Sequence, residues 1–127
     1  MGISYKGYSY RHRSLRENLE EGPNNSLFTP HGNHFGEIFN NSAKRCNIYS
    51  DDPVATAKQF FDWIGYGGVW MARIGGNRVR LRDGTIINYR TTSNSGSPAI
   101  DISIKISNDN CGIRSHRIHF VKKSERR

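Results

Sequence analysis

The sequence predicts an α+β domain: N-terminal helices packed on a twisted antiparallel sheet of about five strands. Three observations predict it. The stretch SDDPVATAKQFFDWIGYGG carries its apolar residues at helical spacing, residues 69–122 alternate apolar and polar positions, and the connections between the alternating runs are short. At 127 residues the chain has the length of one domain, enough to bury a core without staples.

Residues 1–50 read as a helical and loop part. Tyr5, Tyr8 and Tyr10 stand among basic residues, and SLRENLEEG predicts a short helix. Ser14 is its N-cap, Glu17 completes a capping box, and Gly22-Pro23 stop it. Residues 23–50 are rich in Asn, Gly and Ser and read as loop, with ordered pieces around Phe28, Phe35, Ile38 and Phe39. Aromatic residues in such a stretch are expected to pack onto something.

The main helix is predicted over 51–65. Asp51 or Asp52 caps it, Pro53 takes the first helical position, and Gly65, Gly67 and Gly68 end it. Val54, Ala57, Phe61 and Ile64 mark its apolar face.

The sheet is predicted over 69–122 from GVWMARI, RVRLR, TIINYRT, AIDISIKI and HRIHFV. Asp83-Gly84 signals a hairpin. A two-residue turn there sets Arg80 opposite Ile87, and a bulge changes that register. Ile100, Ile102, Ile104 and Ile106 share one face, as do Ile118 and Phe120. Arg78, Arg80, Arg82, Asp101, Lys105, Arg117 and His119 fall on the opposite, basic face. His116 and His119 point to opposite sides of one strand, so one of them is structural or solvent-facing.

Charge is unevenly placed. Residues 1–65 hold seven Lys/Arg and seven Asp/Glu, whereas residues 66–127 hold twelve and four and carry the whole net charge of +8. A charge confined to one half points to a polyanionic partner, either nucleic acid or an acidic protein. No apolar run approaches the length of a membrane span, and the first residues lack the apolar core of a secretory leader. Cys46 and Cys111 make no disulfide framework and are expected as thiols.

Metal-independent RNA cleavage needs a base for the 2′-hydroxyl, an acid for the leaving oxygen and positive charge for the phosphorane. NYRTTSNSGSPAID and HRIHF supply such groups. Arg90 suits bidentate phosphate binding, Thr91, Thr92, Ser93, Ser95 and Ser97 offer hydroxyls, and His119 titrates in the useful range. The same Ser, Asn, Gly and Pro residues are also ordinary turn chemistry. His31 and His34, with Glu37 nearby, form a second cluster on a loop. The histidine and cysteine spacing is not that of a zinc finger, GYGG lacks the Lys of a phosphate loop, and no carboxylate pair stands out. No metal or cofactor is expected.

From residue 53 to about 122 the pattern G-T-x-x-x-Y-R…S…S-x-x-x-I-D-I…K/R-I-x-F, with a glycine-terminated helix before it, resembles the toxin tips of bacterial polymorphic toxins. These include contact-dependent growth inhibition (CdiA) effectors. The group it resembles is the superfamily joining barnase, EndoU, the tRNA-cleaving colicins and RelE. Residues 1–50 carry no matching motif. The resemblance implies cleavage of RNA, often tRNA, to a 2′,3′-cyclic phosphate. It implies a cell-surface or secreted effector tip that acts in the target cytoplasm and is blocked by a cognate immunity protein. It also implies release from a larger protein, so that Met1 need not be a native start. The matching positions are Arg90, Thr92, Ser93, Ser95, Ser97, Asp101 and His119.

The resulting expectation is a monomeric ribonuclease domain. His119 is the acid or base, Arg90 and Lys105 stabilise phosphate charge, and the 91–97 hydroxyls position RNA. Arg78, Arg80, Arg82, Tyr89 and Arg117 bind it. The alternatives are a non-catalytic nucleic-acid module stacking bases on Tyr89 and Trp70, a domain that binds an acidic protein, and a metal-dependent DNase toxin.

Overall fold

The computed structural model describes residues 13–40, 42–71, 77–93, 96–105 and 111–126. Among them are two α-helices, α1 (Leu15–Glu21) and α2 (Pro53–Ile64). Seven strands follow the order β1 (Glu37–Phe39), β2 (Ser42–Ser50), β3 (Val69–Met71), β4 (Asn77–Arg80), β5 (Ile86–Arg90), β6 (Ala99–Ser103) and β7 (His116–Lys122). They form one sheet ordered β1-β2-β7-β6-β5-β4-β3.

The α+β class stands, but the sheet is larger than expected and mixed. The segment 37–50, read as loop, forms β1 and β2, and β2 lies parallel to β7. A parallel neighbour needs a long connection. Here α2 crosses one face of the sheet to the far edge, and β3 to β7 return as an antiparallel meander.

Local signals fix both helices. Ser14 and Glu17 form the capping box of α1, each accepting from the other's backbone N–H. Asp52 accepts from Ala55 N–H at the start of α2, with Pro53 inside the first turn. The buried side of α2 is Thr56, Ala57, Phe60, Phe61 and Ile64. Val54, expected there, is 54% exposed; the apolar stripe runs through Phe60 instead. The sheet answers with Ile48, Val79, Ile87, Tyr89, Ile100, Ile102, Ile118 and Phe120. Phe28 and Phe35, from the loop-like stretch, are fully buried against Phe60 and Trp63. The buried amide of Asn18 joins the helices by donating to the carbonyls of Ile64 and Tyr66 beyond the end of α2. Those carbonyls have no acceptor role within the helix.

The β4–β5 turn sets the register of the open face. Leu81 N–H bonds Thr85 C=O, and Val79 pairs with Ile87. Arg80 therefore faces Ile86, one residue off the two-residue-turn register. The extra turn residue is accommodated by Gly84 at φ 87°. This shift keeps Val79 and Ile87 together on the core side and leaves Arg78 opposite Asn88 on the other.

Gly36 allows β1 to approach β2. Its φ is 79°, and a Cβ there would lie 2.5 Å from the backbone oxygen of Asn47. Gly36→Ala is expected to destabilise the fold by at least about 2 kcal/mol, the left-handed cost plus the clash. Urea denaturation checks this; an unchanged midpoint would mean that the hairpin is not held so close.

Cys46 is buried, Cys111 is exposed, and both are free thiols. No helix among the described residues is long and apolar enough to cross a membrane.

Candidate functional site

The sheet face away from α2 is organised by cross-strand rows. Pairing places Arg78, Asn88, Asp101, Arg117 and Arg45 side by side across β4, β5, β6, β7 and β2. The next row is Arg90, Ala99, His119 and Asn47. On the other side of the first row lie Arg80, Ile86 and Ser103. Directly paired residues project to one side of a sheet, so register alone makes these neighbours. A groove of about 690 Å³ runs over them, lined by Arg45, Arg78, Asn88, Arg90, Asp101, Lys105, Arg117 and His119 among others.

His119 lies on the groove floor, only 4% exposed. Its Nδ1 is 3.0 Å from Ser97 Oγ, and Ser93 Oγ lies 3.5 Å from that hydroxyl. Burial, then the positive charges of Arg45 and Arg117, push its pKa down to about 4, against a smaller opposing pull from Asp101. The ring is neutral at physiological pH. Nδ1 is the ring nitrogen that Ser97 engages. Between His119 and Arg90 sits Ala99, a single methyl, which leaves room above the sheet.

Asp101 is tied to Arg117 through both carboxylate oxygens, at 2.6 and 3.3 Å. This bond raises the Arg117 pKa further. The other guanidiniums are differently placed. Nε of Arg45, Arg78 and Arg90 is buried without a hydrogen-bond partner among the described residues, and so is Oδ1 of Asn47 and Asn88. Buried polar atoms are nearly always paired. Five such atoms, three donors and two acceptors, lie on this one face.

The rows gather Arg78, Asp101, Arg117 and His119 on the face that the alternation predicted and bring Arg90 beside them; Lys105, past the end of β6, also lines the groove, and Ser97 lies behind His119. Arg80 is exposed on the same face. Other expectations are corrected. Arg82 lies beyond the end of β4, and its guanidinium pairs with Glu17 at 3.0 Å, tying the turn to α1. Tyr89 is buried against Phe61 on the helix side, where its pKa is raised mainly by burial, so it cannot stack a base. Thr92 is exposed on the loop and does not line the groove. Ser95 lies outside the described residues. His31 and His34 pack on one another and toward His116; His116 lines the groove, but His31 and His34 do not. His116 is the structural histidine: its Nε2 accepts from Phe35 N–H and its Nδ1 donates to Arg114 C=O. Burial lowers its pKa as well.

Arg45, Asn47 and Asn88 were not anticipated. Arg45 and Asn47 alternate with the buried Cys46 and Ile48, a period-two signal too short to stand out among Asn, Ser and Lys. Among the described residues, no three His, Cys, Asp or Glu side chains converge on a point. No known protein family, curated protein sequence or solved structure matches this chain.

Proposed function

We propose that the chain is a toxin-type endoribonuclease that cleaves RNA, most readily tRNA, without a metal ion. One observation carries this: a hydroxyl-tethered His119 lies across Ala99 from Arg90 in a groove lined by Arg45, Arg78, Arg90 and Arg117. Two interstrand spacings, about 10 Å, separate the strands of His119 and Arg90, enough for a phosphodiester between them. His119 Nε2 takes the proton of the 2′-hydroxyl. The 2′-oxygen then forms a bond to phosphorus, the bond to the 5′-oxygen breaks, and that oxygen takes a proton from solvent in the open groove. The products are a 2′,3′-cyclic phosphate and a 5′-hydroxyl. Arg90 and Lys105 offset the charge gathering on the phosphorane oxygens. Ser97 holds the imidazole, and the Asp101–Arg117 pair stiffens the floor.

The resemblance to polymorphic toxin tips adds the setting: action in a target cell's cytoplasm, with an acidic immunity protein covering the basic face. The base-stacking alternative loses support because, among the described residues, no Phe, Tyr or Trp lines the groove.

Incubation with total bacterial tRNA in excess EDTA tests the proposal. Discrete fragments ending in cyclic phosphate are expected. Cleavage only after divalent metal is added would overturn the mechanism, and intact tRNA in both cases would overturn the activity.

A further inference from the structure

The groove is longer than the reaction needs. Arg78 and Arg45 close its two ends, four interstrand spacings or about 19 Å apart. Each keeps a buried Nε without a partner among the described residues, and the Arg45 guanidinium is held 4.3 Å above the Phe39 ring. Such stacking pre-orients a cation. Between them, Asn88 is 5% exposed and its Oδ1 is buried without a partner among the described residues. A metal-free anion site would need only the guanidiniums. Guanidiniums at both ends of one groove suit a chain that bears phosphates at intervals. Beyond Arg45 a second hollow of about 550 Å³ continues over β2 and β1, sharing Arg45 and walled by Asn47, Tyr49 and the ion-paired Glu37 and Arg126.

We propose that Arg45 and Arg78 are phosphate subsites at the two ends of the groove, so that one RNA strand crosses the sheet with contacts on both sides of the cleavage centre. This rests on the ribonuclease reading for its choice of RNA. It assigns a role to the N-terminal hairpin, because Arg45 enters the site only through β2. The enzyme then cuts internally and holds both flanks of the scissile bond.

The test is the salt dependence of binding of a single-stranded RNA octamer, measured in the His119→Gln background so that the probe stays intact. Each lost phosphate contact is expected to make the slope of log K against log salt shallower by about 0.7. Arg45→Ala and Arg78→Ala each lose that increment and weaken binding at low salt, while Arg45→Lys keeps the slope. If Arg45→Ala lowers the melting temperature, Arg45→Gln repeats the measurement with a polar side chain still over Phe39. Unchanged affinity and slope in the Arg45 variants would overturn the subsite even if the wild type cleaves RNA. A preserved slope effect with no cleavage by the wild type would uphold the subsite and overturn the catalytic reading.

Discussion

Replacing His119 by Gln is expected to lower RNA cleavage by about 10²–10⁴-fold, the usual worth of a positioned base, with the fold retained. Glutamine keeps a hydrogen-bonding group near Ser97 but cannot accept a proton at neutral pH. The pH dependence gives a sharper check. In the free enzyme the ring titrates at about 4, because burial and the charges of Arg45 and Arg117 oppose protonation. A base must be unprotonated, so kcat/KM should rise with pH through that value and then level off. A bound phosphate neutralises Arg45 and Arg117 and adds negative charge beside the ring, which raises its pKa. The acid limb of kcat should therefore sit at higher pH than that of kcat/KM. Coincident limbs, or full activity of His119→Gln, would remove His119 from proton transfer.

The same depression has a signed consequence for stability. The folded pKa of His119 lies below the unfolded value of about 6.5, so the folded state binds fewer protons. Stability is complete above about pH 6.5 and falls as pH drops toward 4, and His116, also lowered, acts in the same direction. Denaturation midpoints at pH 7 and pH 5 should differ less in His119→Gln than in the wild type.

The meander was legible because its short runs alternate isoleucine, valine or phenylalanine with polar residues between clear turn signals, and alternation alone sends Ile118 and Phe120 one way and Arg117 and His119 the other. The hydrophobic faces also fix which rows meet, once the turn at Gly84 supplies its extra residue. β2 was not legible. Its neighbour β7 lies about seventy residues away in the sequence, a pairing that no local signal announces. Its open side is Arg45, Asn47 and Tyr49, which in a linear reading are indistinguishable from loop polarity. Arg82 shows the reverse error: the R-x-R-x-R rhythm continues one step past the strand, and the chain turns before the third arginine reaches the face. Tyr89 misled for a similar reason, since its partner Phe61 comes from α2 and not from the sheet.

Arg90→Ala is expected to reduce kcat by about 10²–10³-fold, the cost of removing a donor aimed at developing charge. Arg90 differs from Arg45 and Arg78 in position. It shares a row with His119 and is separated from it by the smallest side chain of that row, so in the proposed reaction the scissile phosphate would lie against it. The planar fork of its guanidinium suits two phosphoryl oxygens at once. Charge on those oxygens grows on the way to the phosphorane, so the interaction strengthens in the transition state and appears in kcat. The end arginines hold phosphates whose charge does not change during the reaction, so their loss appears in KM. Arg90→Lys keeps the charge but not the fork and should recover only part of the loss. Single-turnover cleavage at saturating enzyme separates the cases. If Arg90→Ala raised KM with kcat intact, Arg90 would be another backbone grip, and the charge on the phosphorane would have to be met by Lys105 from the rim.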